Sequence, residues 1–469
     1  MQNQELILSE KIFDLLSDRD RGIDCVGLSG SEKACLISSF YLRHNRPCLV
    51  IVSSVKEGER LIGDLRFFAG QNDLPISFFP PYNILPFKFL SYHSETAGHR
   101  IRVLHQLMEV DIPPIVVTTV DALLQKIIPH QEIGRYAELL IVEEEIDRDG
   151  LIAKLITGGY SKTAIVEEFG DFSVRGGIID VFSPLYDDPL RIELYGDLVE
   201  SLRFFSASNQ RKIKDIQEAI ILPARELIIN KKYIPHIISK IRSLANELDV
   251  PVSHARKIID TIRHDEDVPG LESMISLFYP QLDTLFDYIT TDAVIVTVDS
   301  GELEKVALET QERLYNNYQA SIAEKKLCVE PPELYLNWSQ AAAAIFERNP
   351  LDFKMFEVLK SNDHRQVPPH QFNARVENNS ELSTALKNYH EKEQLFEPLV
   401  EWLQDKQQSG FATILVCRNR SQADRLSSLL VPYGIQLTAV SGYSEIKQNS
   451  GQLYICIGEV STGFVWPAQ

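Results

Sequence analysis

The stretch "GLSGSEKACL" (residues 27–36) follows the short apolar run "DCV" and leads into an amphipathic segment. Phosphate-binding loops read G-x-x-x-x-G-K-[ST]. Their glycines let backbone N–H groups close on the phosphates, while Lys reaches the β/γ oxygens and Ser/Thr holds Mg²⁺. Here Gly27 and Lys33 stand at the right spacing, with Gly30 between them. Glu32, however, occupies the place of the second glycine, and Ala34 that of the hydroxyl. A Cβ and a carboxylate where the backbone must approach a triphosphate oppose binding by sterics and by like charge. The loop is thus read as a degenerate nucleotide site, and Lys33 as a surface lysine on a tolerated β–α turn.

Working outward, residues 24 to about 130 alternate continuous apolar runs ("PCLVIVSS", "PPIVVTTV") with amphipathic segments ("GERLIGDLRFFA", "ETAGHRIRVLHQLM"). Continuous apolar strands between helices predict a parallel sheet covered on both faces, so residues 1–130 are read as a degenerate P-loop (RecA-like), doubly wound α/β domain. Residues 131–215 change texture: "EFGDFSVRGGIIDVFSP" and "PLRIELYGDLVESLRFFS" alternate with period two around Gly-Gly and Gly-Asp turns. This predicts a small α+β insert of antiparallel hairpins with one wet face. Residues 216–345 resume the α/β pattern, 346–382 read as a linker rich in polar residues, and 383–469 read as another small α/β unit. The closing "GEVSTGFVWPAQ" supplies no element to complete that unit, which suggests a longer parent chain.

At 469 residues the chain suggests about three or four domains. Its hydrophobic content of 44% and charged content of 24% are those of ordinary globular protein. No apolar run approaches the roughly 20 residues of a bilayer span, and the N-terminus lacks signal-peptide regions, so a cytoplasmic protein without membrane contact is expected. Cys25, Cys35, Cys48, Cys328, Cys417 and Cys456 form no C-x-x-C pair, which favours reduced thiols over zinc. A formal net charge of −19 argues against nonspecific DNA binding.

Together "GLSGSEKA", "FPPYNILPF" before a segment bearing Arg100, "VVTTVDALLQKIIP" and above all "FGDFSVRGGIIDVFSP…PLRIELYGDLVESLRFFSASNQR" (169–211) carry a resemblance. The chain resembles, over essentially its whole length, the N-terminal half of the bacterial transcription-repair coupling factors, whose first domains are similar to the excision-repair protein UvrB. The resemblance implies domains 1a, 2, 1b and 3, a monomer, and UvrA as partner. It also implies that RNA polymerase and double-stranded DNA are engaged by later domains, with ATP and Mg²⁺ used in translocase modules beyond this segment and no cofactor within it. UvrB-like ATPases place an Asp-Glu pair after a buried strand; here "AVIVTV" leads to Asp299-Ser300-Gly301, a single acid. The segment is therefore expected to be a non-catalytic adaptor that recruits UvrA to stalled RNA polymerase.

In "DFSVRGG" and "LRIELYGD" the apolar set alternates with Ser173, Arg175, Arg191, Glu193 and Tyr195. If the apolar set faces the core, Arg175, Arg191, Glu193 and Tyr195 share the opposite, solvated face and form a patch of residue types common at interface hot spots. An inert cross-strand ion pair is the plain alternative. The resemblance favours docking, because in that family this sheet docks UvrA; Ser173 stands where UvrB commonly has a second arginine. "HDED" (264–267) and "EEE" (143–145) read as solvated turns. Two rival readings remain: an active P-loop ATPase or helicase fragment, which would turn over Mg·ATP, and a UvrB-like damaged-DNA binder, which would hold DNA at physiological salt.

Overall fold

The computed structural model describes residues 21–70, 72–82, 84, 86–88, 92–109, 113–263, 270–356, 369–374, 376–388, 396–447 and 451–466, together with Ile12 and Asp14. "HDED" (264–267) lies outside the described residues. The chain opens with β1 (Ile23–Val26), α1 (Glu32–His44), β2 (Cys48–Val52), α2 (Val55–Ala69), β3 (Ile76–Phe79), α3 (Ser94–Met108) and β4 (Ile115–Thr119). It then departs through β5 (Glu138–Ile141), α4 (Arg148–Thr157), β6 (Ser161–Lys162), β7 (Asp171–Arg175), β8 (Ile178–Val181), β9 (Leu190–Tyr195), β10 (Leu198–Phe205), β11 (Lys212–Ile216) and β12 (Glu218–Ile221). It returns with β13 (Val294–Val298), α5 (Ser300–Ala323), β14 (Leu351–Lys354) and β15 (His370–Asn373). The last part contains β16 (Glu377–Asn378), α6 (Glu397–Gln408), β17 (Thr413–Cys417), α7 (Arg420–Leu430), β18 (Thr438–Ala439), β19 (Leu453–Ile457) and β20 (Phe464–Val465).

A seven-stranded parallel sheet in the order β15-β1-β14-β13-β2-β4-β3 forms the centre. The continuous apolar runs explain it: Cys48, Val50 and Val52 of β2 enter one core with Leu61 and Leu65 of α2, whereas Leu49 and Ile51 enter the other with Ile101 and Leu104 of α3. Such strands have no wet face, which only a sheet covered on both sides provides. The fold is mixed α/β, as the alternation predicts.

The stretch read as linker, 346–382, contributes two strands to this sheet. Central β14 pairs with both β1 and β13, and β15 extends the edge beside β1. Leu351 and Phe353 are the apolar half of β14, while Asp352 and Lys354 form an internal ion pair at 3.2 Å. β15 ("HQFN") needs only one neighbour at an edge, so its polar composition hides it.

The insert is a six-stranded sheet, β11-β10-β9-β8-β7-β6, antiparallel except between β6 and β7. Its core gathers Phe172, Ile179, Val181, Leu190, Ile192 and Leu202 with Leu151 and Leu155 of α4. The ribbon β5–β12 ties it to the first unit and runs past residue 215. The last unit has a parallel sheet β17-β19-β18 over a small core including Leu399, Leu403 and Leu430. All six cysteines are buried and none is in a disulfide, and burial pushes the Cys48 thiol up to about 12 and that of Cys456 up to about 11. Among the described residues no helix is long and apolar enough to cross a membrane, and no group of three or more His, Cys, Asp or Glu could hold a metal.

Candidate functional site

Register on the insert decides what its second face presents. Ser173 pairs with Asp180, Asp180 with Arg191 and Arg191 with Arg203, making one polar row across four strands. Ile178, Glu193 and Ser201 form the next row, with Arg175 at its end. The carboxylate of Asp180, 1% exposed, accepts from Arg191 Nε at 2.6 Å, from Arg191 Nη2 at 2.9 Å and from Arg175 Nη2 at 2.6 Å. Glu193 accepts from Ser201 Oγ at 2.7 Å and from both Arg203 Nη atoms, one of them at 3.0 Å. The Ser201 hydroxyl, followed by the Arg203 guanidinium, holds the Glu193 carboxyl below its ordinary value against the opposing effect of burial.

This corrects the expectation of a uniformly solvated face. Ser173 and Asp180 are buried, and the Arg191 side chain is only 17% exposed, its guanidinium lying 4.6 Å over the Phe205 ring. Phe205 belongs to a satellite cluster with Val166 and Phe182 that covers this end of the sheet, a cover that period-two alternation cannot reveal. Arg175 and Tyr195 do reach solvent: the Arg175 side chain is 52% exposed and Tyr195 79%. Both sit beside tight turns. Gly176 has φ 59°, and a Cβ on Gly177 would lie 2.4 Å from the Leu194 carbonyl oxygen, so only glycine lets the turn close on β9. Asp180, Ser201 and Arg203 were missed by sequence reasoning. The signal was available, since Asp180 is the one polar residue in "GGIIDVF" and falls in the same alternating set as Arg175 and Arg191.

The loop at 27–33 is closed by its own chain. The N–H groups of Gly27 and Leu28 donate to the Lys354 carbonyl at 2.9 and 3.2 Å. The Glu32 carboxylate, buried, accepts from the N–H of Ser29 and, at 2.6 Å, from that of Gly30. The N–H of Ser31 donates to Thr462 Oγ1 at 3.0 Å. Five consecutive amides of the kind that would cradle a phosphate are thereby spoken for. Ala34 is buried in the core, and Lys33 follows the loop at intermediate exposure. Asp299 caps α5 from a left-handed conformation (φ 56°), its Oδ1 accepting from Glu302 N–H at 3.3 Å and its own N–H donating to the Phe353 carbonyl at 2.8 Å. The loop and Asp299 therefore both hang from the end of β14. Between them Lys354 Nζ bridges Asp24 at 2.5 Å and Asp352 at 3.2 Å, a cation internal to the fold; burial pushes the Asp352 carboxyl up.

The aromatic loop before α3 is packed inward. Arg100, fully buried, donates from Nε to Glu226 at 2.5 Å and from Nη1 to the Pro80 carbonyl at 2.8 Å, and lies 4.2 Å over Phe79 and 4.4 Å over Tyr82. Tyr82 stacks on Tyr92 at 3.8 Å and donates its hydroxyl to Glu226 at 3.0 Å.

Residues 139–227, which span the insert sheet, match the family model of the UvrB interaction domain. The transcription-repair-coupling factor of Myxococcus xanthus is 29% identical over 461 residues, covering 94% of this chain and 37% of that protein. Those of Bacillus subtilis (strain 168) and Staphylococcus haemolyticus (strain JCSC1435) are 25% and 24% identical, over 94% and 99% of this chain. The chain is a relative of the transcription-repair-coupling factors. It spans under two fifths of the length of these coupling factors, which cover it through the parallel sheet, the insert and the last unit alike.

Proposed function

We propose that this chain is the UvrB-like adaptor portion of a transcription-repair coupling factor, which recruits UvrA to stalled RNA polymerase through the β7–β10 face of the insert. The observation that carries the reading is the exposed pair Arg175 and Tyr195, held on a face whose buried half is a rigid charge network and which coincides with the UvrB interaction domain. Arg and Tyr are the residue types that anchor protein interfaces, and an arginine orientated by a buried carboxylate loses little freedom on binding. The parallel-sheet unit is read as a RecA-like nucleotide domain that has lost its chemistry: the loop amides are satisfied by Glu32, Lys354 and Thr462. Residues 1–469 then act without ATP, and ATP, Mg²⁺, double-stranded DNA and RNA polymerase are engaged by the translocase and polymerase-binding parts of the parent. The segment works as a monomer. Titration of UvrA against this chain and its Arg175→Ala and Tyr195→Ala variants tests the proposal. Each should weaken binding at least tenfold with the insert still folded; unchanged affinity in both removes the docking assignment.

A further inference from the structure

The degenerate phosphate loop carries a glycine at position 30, whose amide serves Glu32. A Cβ placed on Gly30 would lie 2.2 Å from Thr462 Oγ1, inside the contact distance of any two non-bonded heavy atoms. Thr462 belongs to the turn between β19 and β20 in the last unit, 431 residues from Ser31 along the chain. Around that point the two units meet in paired hydrogen bonds. The Ser31 N–H donates to Thr462 Oγ1 at 3.0 Å, and the Ser31 Oγ donates to the Thr462 carbonyl at 2.6 Å. The buried Asp64 of α2 accepts from Ser461 N–H and from Ser461 Oγ, both at 2.6 Å. Beside them the Cys35 thiol lies 3.5 Å from the Tyr443 hydroxyl, and Phe68 meets the Tyr443 ring edge-on at 5.0 Å. Phe464 and Trp466 close the seam against the same core.

We propose that the former nucleotide loop now works as the socket of an interdomain latch, whose key is the Ser461-Thr462 turn, and that this latch carries the last unit as one body with the parallel sheet. The anion site has been used twice by the chain itself: the Glu32 carboxylate fills the place of a phosphate on the Ser29 and Gly30 amides, and the Thr462 hydroxyl takes the next amide. Asp64 supplies a second, charge-assisted anchor on the adjacent helix, so the turn is held at two points and cannot swivel about one. A glycine at position 30 is explained by the closeness of Thr462 Oγ1 and the Glu32 carboxylate to where a Cβ would stand. This inference is independent of the docking face on the insert.

The two hydroxyls of the key can be removed without touching either core, because Ser461 and Thr462 are exposed apart from these bonds; the backbone bonds of Ser461 N–H and the Thr462 carbonyl stay available. In the full chain carrying Ser461→Ala and Thr462→Ala, iodoacetamide should label Cys35 at least tenfold faster than in the unaltered chain, with labelled sites located by mass spectrometry. Cys48 in β2 and Cys417 in β17 report on the two cores and should keep their rates. Gly30→Ala, whose Cβ would crowd both Thr462 Oγ1 and the Glu32 carboxylate, should wedge the socket and give the same pattern. Unchanged Cys35 labelling in the Ser461/Thr462 variant overturns the latch. So does acceleration that extends to Cys48, since the contact would then be part of the fold of the first unit.

Discussion

Arg191→Ala should loosen the insert far more than Arg175→Ala, although both arginines bond the same carboxylate. Asp180 is 1% exposed and receives two of its three arginine hydrogen bonds from Arg191, whose side chain is 17% exposed, and one from Arg175, which is 52% exposed. Removing one partner from a buried pair costs about 3–5 kcal/mol, because a charge is left uncompensated. Arg175 remains within reach and water can enter where Arg191 stood, so the low end, about 3 kcal/mol, applies to Arg191→Ala. Arg175→Ala removes one bond at the solvent edge and should cost about 1 kcal/mol or less. With tenfold per roughly 1.4 kcal/mol, amides of β8 and β9 should exchange roughly a hundredfold faster in Arg191→Ala and less than tenfold faster in Arg175→Ala. Native-state hydrogen exchange is the assay, since a chain of several units does not unfold in one step and Trp338, Trp402 and Trp466 all lie outside the insert. Equal effects of the two substitutions, or an Arg191→Ala effect under about threefold, would refute the reasoning. A further check is Asp180→Leu with Arg191→Met, which removes both charges and should recover most of the loss.

Other outcomes follow from the same geometry. Glu193 is held below its ordinary value of 4.5, so its contribution to the insert is complete above that pH and is lost as pH falls through the lowered folded value; acid-titrated exchange of β9 and β10 should show this, and Arg203→Ala should blunt it. Glu226→Ala strands the fully buried Arg100 and should destabilise the first unit by about 3–5 kcal/mol, read by native-state hydrogen exchange of its amides, with Glu226→Gln costing less because it keeps an acceptor. With six buried thiols and burial holding Cys48 and Cys456 protonated, thiol reagents should titrate the native chain slowly and six groups after denaturation. Pyrophosphate or Mg·ATP should not protect the Gly30 and Ser31 amides further, and a clear gain of protection would favour a working nucleotide site.

Much of the fold was legible because it depends on apolar period. β2, β4 and β13 are runs of five buried residues, and nothing but a sheet covered on both faces accommodates them. β14 was illegible for the converse reason: Lys354 lies between Asp24 and Asp352 inside the fold, Thr297 donates to Asp352, and a buried ion pair has the composition of a loop. On the candidate site, alternation placed Arg175, Arg191, Glu193 and Tyr195 on one face, and in the register Arg175, Ile178 and Glu193 share a row beside that of Asp180 and Arg191. It could not divide them into a solvent-facing pair and an interior pair, because the cover over Arg191 comes from Phe205, which packs with Phe182 and Val166 from other segments of the chain.

That division changes how the face should be probed. A charged patch read from sequence invites alanine at every arginine, and loss of binding in Arg191→Ala would then be counted as a lost contact. Arg191 instead neutralises Asp180, which in turn orientates Arg175 toward solvent. Arg191→Ala would weaken partner binding even if Arg191 never touched a partner. The informative comparison is therefore Arg175→Lys. Lysine keeps the charge and can still reach Asp180, but it lacks the planar fork that could hold Asp180 with one nitrogen while presenting others outward. If Arg175 works as a forked anchor, Arg175→Lys should weaken binding nearly as much as Arg175→Ala while leaving exchange in β8 and β9 unchanged. If the face works only through net charge, Arg175→Lys should bind as the unaltered chain does, and binding by the unaltered chain should fall steeply with salt.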